Sequence, residues 1–128
     1  MAHILLIEPD YLLGKMYVGF LKDKGHSVTL TRSAQQAVHF ADEKSPDVVV
    51  MEIQLKGHNG IEFLYEFRSY SEWLHIPIII NSFVPHIEFS RMPMLTKELG
   101  VKTYLYKPTT TLEKLGRSIE LLVPTIVT

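Results

Sequence analysis

Glu52 closes an apolar run, Asp47-Val48-Val49-Val50-Met51-Glu52-Ile53, and an acid at the mouth of a buried strand is a candidate for chemistry. Three more polar positions end apolar runs in the same way. Glu8, followed by Pro9 and Asp10, ends Ile4-Leu5-Leu6-Ile7; Ser82 ends Pro77-Ile78-Ile79-Ile80-Asn81; and Lys107 ends Tyr104-Leu105-Tyr106. The length and β-branched content of these runs fit strands covered on both faces of a parallel sheet. In such a sheet ligands bind beyond the carboxyl ends of the strands, where Glu52 would lie.

The elements that must position these residues alternate between strand and helix five times, which argues for a doubly wound sheet with helices on both faces. A first strand is expected near residues 3–7 and a helix near 10–24, with Leu12, Leu13, Met16, Tyr17, Phe20 and Leu21 recurring at helical spacing and Gly25 ending it. Val28 and Leu30 mark a second strand. Ser33 and Gln36 form a capping box for a helix that buries Ala34, Ala37, Val38 and Ala41. After the Glu52 strand, Leu55-Lys56-Gly57-His58-Asn59-Gly60 reads as a turn, and a helix begins with Ile61, Leu64 and Tyr65 on one side. Residues 83–92 are expected to be irregular, bracketed by Pro85 and Pro93, with a fourth helix over 93–99 and Gly100 capping it. Thr110 with Glu113 is expected to open the last helix, whose stripe is Leu112, Leu115, Ile119, Leu122 and Val123. Val123-Pro124-Thr125 reads as a natural stop.

Taken in order and at their separations, the four segments Ile4–Asp10, Pro46–Ile53, Pro77–Ser82 and Tyr104–Pro108 resemble the response-regulator receiver family of two-component signalling. The resemblance covers nearly the whole chain and implies a flavodoxin-like five-stranded parallel sheet in the order 2-1-3-4-5. It also implies an aspartate at the position of Glu52 that attacks a phosphoryl donor to form an acyl phosphate, assisted by a divalent cation held by an acidic pair after the first strand. Here that pair reads Glu8-Pro9, and Pro9 has no ligating side chain; Asp10 beside it is a partial substitute. The extra methylene of Glu52 advances its carboxylate into the space of the phosphoryl group, and a shift of about an ångström costs on the order of a hundredfold in rate. Ser82 matches the family's hydroxyl residue, Lys107 its phosphoryl-pairing lysine, and Tyr104 its aromatic switch, which turns inward when the hydroxyl residue moves toward a phosphoryl group. Lys56 stands where the family commonly has proline.

The resemblance therefore reads as an atypical receiver, a pseudo-receiver with a degenerate phosphoacceptor site and no catalytic residue. Glu52 is expected to mimic the phosphorylated state in part by reaching Lys107 or Ser82, although a carboxylate brings fewer charges and acceptors than a phosphoryl group. Tyr104 is expected to be a half-buried aromatic with its hydroxyl in water, exposed with Tyr106 on a surface of about residues 93–123 that receives another signalling protein or a second copy of the chain. No cofactor is expected and no metal, magnesium binding being at most weak. Two alternatives compete: a phosphorylatable receiver with an unusual magnesium geometry, and a flavodoxin-like binder of a small molecule. Against the second, no Gly-rich or Ser/Thr-rich phosphate loop follows the first strand, and Glu8-Pro9-Asp10 would repel an anion.

Bulk properties narrow the class further. The 128 residues, 46% hydrophobic, suffice for one compact domain over 1–128 and not for a receiver plus a DNA-binding domain. No apolar stretch reaches the roughly 18 residues of a membrane span, and no signal-type segment opens the chain, so a cytoplasmic protein is expected. The absence of cysteine excludes disulfides and thiolate metal sites. The six histidines show no i,i+4 pair and read as surface or half-buried side chains. Residues 91–128 hold six Lys/Arg against three Glu within a net charge of −1, a gradient too mild and too dispersed for a nucleic-acid binder.

Overall fold

The computed structural model describes residues 1–55 and 58–123, and the expectations resting on Lys56, Gly57 and Pro124-Thr125 lie outside them. Five strands form one parallel sheet: β1 (His3–Ile7), β2 (Ser27–Thr31), β3 (Val48–Met51), β4 (Ile78–Ser82) and β5 (Val101–Tyr106), in the order β2-β1-β3-β4-β5. This is the doubly wound, flavodoxin-like order expected from the resemblance. A separate two-stranded hairpin pairs Gln54–Leu55 with His58–Asn59 just past the end of β3.

The period-two alternation of the central strands sorts their side chains onto two faces. Ile4, Leu6, Val48, Val50, Ile79 and Leu105 pack with Tyr17 and Leu21 of α1 (Tyr11–Asp23) and with Leu115 and Ile119 of the last helix, Leu112–Leu122. On the other face, Leu5, Ile7, Val49, Met51, Ile78 and Ile80 pack against α2 (Ala34–Glu43) and α3 (Gly60–Arg68). Burial on both faces is why these strands read as unbroken apolar runs.

The helix expectations hold in part for α2, where Ala37 and Ala41 are buried, Ala34 and Val38 are half-buried, and Ser33 accepts from the Gln36 N–H at 3.3 Å while its own N–H donates to Thr31 Oγ1, not to Gln36. Elsewhere the faces need correction. Leu12 and Met16 of α1 point outward, as does Tyr65 of α3, whose buried side is Phe63, Leu64 and Phe67. Residues 83–92 are not wholly irregular, since a short helix forms there, and the helix expected over 93–99 is present but shorter. Two short helices, α4 (His86–Ser90) and α5 (Met94–Lys97), flank Pro93, which has no N–H to carry a helical ladder through. The last helix, α6 (Leu112–Leu122), is capped by Thr111, whose side chain accepts from the Lys114 N–H at 3.1 Å, one residue later than the capping box predicted; Thr110 instead donates to the Tyr106 carbonyl at 2.7 Å. Gly25 (φ 93°) and Gly100 (φ 68°) take the left-handed conformation that ends a helix before the next strand. His3, expected nearer the surface, is buried and bridges β1 to β2 through Ser27 at 2.7 Å and Thr29 at 3.2 Å.

Candidate functional site at the strand ends

The sheet's own ladder sets the site. The Glu8 N–H donates to the Thr31 carbonyl and the Glu52 N–H to the Ile7 carbonyl, both at 2.9 Å, so pairing continues one residue past β1 and β3 and places the two acids side by side. Ser82 and Tyr106 are paired at the end of β4 and β5, which puts Lys107, the next residue, across from Ser82. The four polar residues singled out in the sequence therefore converge, and the protein buries them: the side chains of Glu8, Glu52 and Lys107 are 2%, 4% and 4% exposed.

Lys107 Nζ lies 2.6 Å from Glu8 Oε1 and 2.8 Å from Glu52 Oε1. The Glu52 carboxylate takes three further hydrogen bonds. Oε1 accepts from the Phe83 N–H at 3.3 Å, while Oε2 accepts from the Gln54 N–H at 3.0 Å and, in a short contact, from the Ser82 hydroxyl. Ser82 Oγ in turn accepts from the Val84 N–H at 3.0 Å. Burial by itself would raise the Glu52 pKa, but bonds from Lys107, Ser82 and the Gln54 N–H outweigh it, and the carboxyl titrates below its ordinary 4.5. Burial likewise opposes the charge on Lys107, and bonds to Glu52 and Glu8 reverse that, raising it above 10.5. Both groups are held charged.

Other expectations fare differently. Asp10 is exposed and caps α1, accepting from the Leu13 N–H at 2.9 Å, while its own N–H donates to Glu8 Oε2 at 3.1 Å; its carboxylate faces the helix, not the acid pair. Tyr104 is not exposed. It is buried, its hydroxyl donates to the Val84 carbonyl instead of to water, and its ring stacks on Phe89 and tilts against His86. Tyr106 is half-buried, with His86 at its edge. Two participants escaped the sequence reading. Phe83 contributes both its N–H to Glu52 and its ring, whose centroid is 4.8 Å from Lys107 Nζ, and Gln54 contributes its N–H. Neither carries a titratable side chain, so neither has a chemical signature in the sequence.

The family model for the response regulator receiver domain matches residues 4–120. The chain belongs to that receiver family. It is 27% identical over 106 residues to the polar-differentiation response regulator DivK of Brucella ovis, covering 82% of this chain and 83% of that one. It is 25% identical over 115 residues to the transcriptional regulatory protein BaeR of Escherichia coli, covering 89% of this chain and 45% of that one. Among solved structures, the chemotaxis response regulator CheY4 of Vibrio cholerae superposes with a TM-score of 0.84 over 96% of this chain and 99% of that one at 22% identity, a likeness of fold. Receiver domains serve two-component signalling, interact with other signalling proteins and typically bind Mg2+ at the phosphorylation site. The residues of this receiver do not fit such a cation. Pro9 offers no donor, Asp10 is committed to the α1 cap, and the ammonium of Lys107 occupies the place between Glu8 and Glu52 where a cation would bridge them. Among the described residues no group of three or more His, Cys, Asp or Glu could hold a metal ion, and no helix is long and apolar enough to cross a membrane.

Proposed function

We propose that this chain is a pseudo-receiver: a signalling protein that acts as one unit by noncovalent binding, without phosphotransfer, and in which the Glu52 carboxylate is a permanent stand-in for a phosphoryl group. The observation that carries this reading is the saturation of Glu52. Its two oxygens accept from Lys107, Ser82 and the N–H groups of Phe83 and Gln54, a set of donors suited to an anionic oxygen cluster. A nucleophile has to present a lone pair to an incoming phosphorus, and these are engaged. The inward Tyr104 agrees with the same reading, because Ser82 is drawn to Glu52 and the Ser82–Val84 segment that follows accepts the tyrosine hydroxyl.

The output is then a surface held in one conformation. Tyr104 is not part of that surface, as its burial shows; His86 and Phe89 pack on it, and the exposed Ile87 and the half-buried Tyr106 are offered, with α5 and α6, to another signalling protein or to a second copy of the chain. The proposed setting is the cytoplasm.

An amide NMR titration with magnesium and then beryllofluoride, a noncovalent phosphoryl analogue, tests the reading. The wild type is expected to remain unchanged, while Glu52→Asp with Pro9→Asp responds at Ser82, Tyr104 and Lys107. Saturable shifts at those residues in the wild type would contradict the reading and favour a working phosphoacceptor.

A further inference from the structure

Phe83 stands beside the cluster, one residue past Ser82. Its side chain is half exposed, yet the ring centroid lies 4.8 Å from the ammonium of Lys107, a group that is itself almost wholly buried. The ring thus has solvent on one side and the charge on the other. An ammonium has three N–H donors, and Lys107 directs bonds to Glu8 and Glu52. The electron-rich face of Phe83 is the remaining favourable partner in a place where water would otherwise complete the shell. The backbone fixes the ring there, because the Phe83 N–H donates to Glu52 Oε1 and the residues on either side are bonded to each other through Val84 N–H and Ser82 Oγ.

We infer that Phe83 is a lid: its ring seals the Glu8–Lys107–Glu52 cluster against water and small oxyanions and positions the Lys107 ammonium against Glu52. The inference goes beyond the stand-in reading, which concerns why Glu52 is unreactive; the lid concerns what can reach the cluster at all. A phosphoryl donor approaching from the strand ends would meet the ring before the carboxylate.

The test is the nitrogen-15 NMR signal of the Lys107 ammonium at neutral pH in the full chain, read for solvent exchange and ring-current shift in the wild type, Phe83→Ala, Phe83→Leu and Phe83→Trp. The wild type and Phe83→Trp are expected to show a slowly exchanging, ring-shifted signal. In Phe83→Ala exchange is expected to quicken about tenfold or more, the scale of a desolvated cation–π contact, and the shift to vanish. Phe83→Leu is smaller and loses the ring while keeping part of the apolar cover, so exchange between that of the wild type and Phe83→Ala, with loss of the shift, is expected there, and this variant decides the matter should the alanine variant fail to fold. Wild-type exchange and shift in a folded Phe83→Ala or Phe83→Leu protein would overturn the lid. Tyr104 still turned inward in those variants would leave the stand-in reading of Glu52 untouched, which separates the two failures.

Discussion

Two cations reach inward from the surface, Lys107 buried and Arg68 half-buried, and they are satisfied in opposite ways. Arg68, at the end of α3, donates to the backbone carbonyls of Trp73 (2.6 Å), Ile76 (2.6 Å) and Leu99 (2.9 Å), with longer contacts to Leu74 (3.3 Å) and Gly100 (3.5 Å). Its partners are neutral and fixed, so burial alone acts on its charge and lowers its pKa. Lys107 faces two carboxylates, and its pKa is raised. The planar fork of Arg68 fastens two connecting segments, Trp73–Ile76 and Leu99–Gly100, to the end of α3, which is architecture. The point charge of Lys107 neutralises acids that have no structural need to be buried together, and that excess of buried charge marks a site.

Removing each cation separates the two roles. Lys107→Met leaves Glu8 and Glu52 facing each other without a counter-charge and is expected to lower stability by about 4 kcal/mol, measured by urea unfolding. Much of that loss should return in a Lys107→Met, Glu52→Gln double variant, since the repulsion is then gone. Arg68→Met is expected to cost somewhat less, about 3 kcal/mol, because some of the freed carbonyls can reach water, and no carboxyl substitution should rescue it. Equal rescue in both backgrounds would erase the distinction drawn above.

Acid sharpens the same comparison. Because the folded-state pKa of Glu52 lies below its ordinary 4.5, its contribution is present above that value and is lost as pH falls through the folded value. Lys107 contributes below 10.5 and loses its effect as pH rises through its folded value, so the pair supports the fold across the neutral range. Stability measured down through the acid range should therefore fall more steeply in the wild type than in Glu52→Gln, while Arg68→Met should leave the slope of that limb unchanged. A smaller effect, about 1 kcal/mol, is expected for Tyr104→Phe, which removes the bond to the Val84 carbonyl and little else.

The sequence disclosed these two regions unequally. The strands were legible because Ile4–Ile7, Val48–Met51 and Ile78–Ile80 are apolar on both faces; strand-end position by itself pointed to Glu52, and the convergence of Glu8, Ser82 and Lys107 on it was implied by the family resemblance. Arg68 was invisible, since its partners lie between 5 and 32 residues away and are backbone atoms that carry no residue signature. Tyr104 was misplaced for a related reason: alternation along β5 puts it on a sheet face, but only α4, across Phe89 and His86, turns that face into an interior. That helix was itself missed because five residues between two prolines are too few to show a period. Asp10, read beside Glu8 as a spare carboxylate, proved to be a helix cap, a role its position before Tyr11-Leu12-Leu13 equally allows.

The Glu52 carboxylate holds Ser82, whose Oγ accepts from the Val84 N–H, and the Val84 carbonyl holds Tyr104 inward. The direct measurement is the side-chain conformation of Tyr104 in the Glu52→Ala protein, by crystallography together with NMR of its ring. Release of Ser82 and appearance of an outward Tyr104 rotamer, in an otherwise unchanged sheet, is the predicted result. A Tyr104 still buried in one conformation, bonded to Val84 as before, would contradict the claim and leave Glu52 with no more than a structural ion pair.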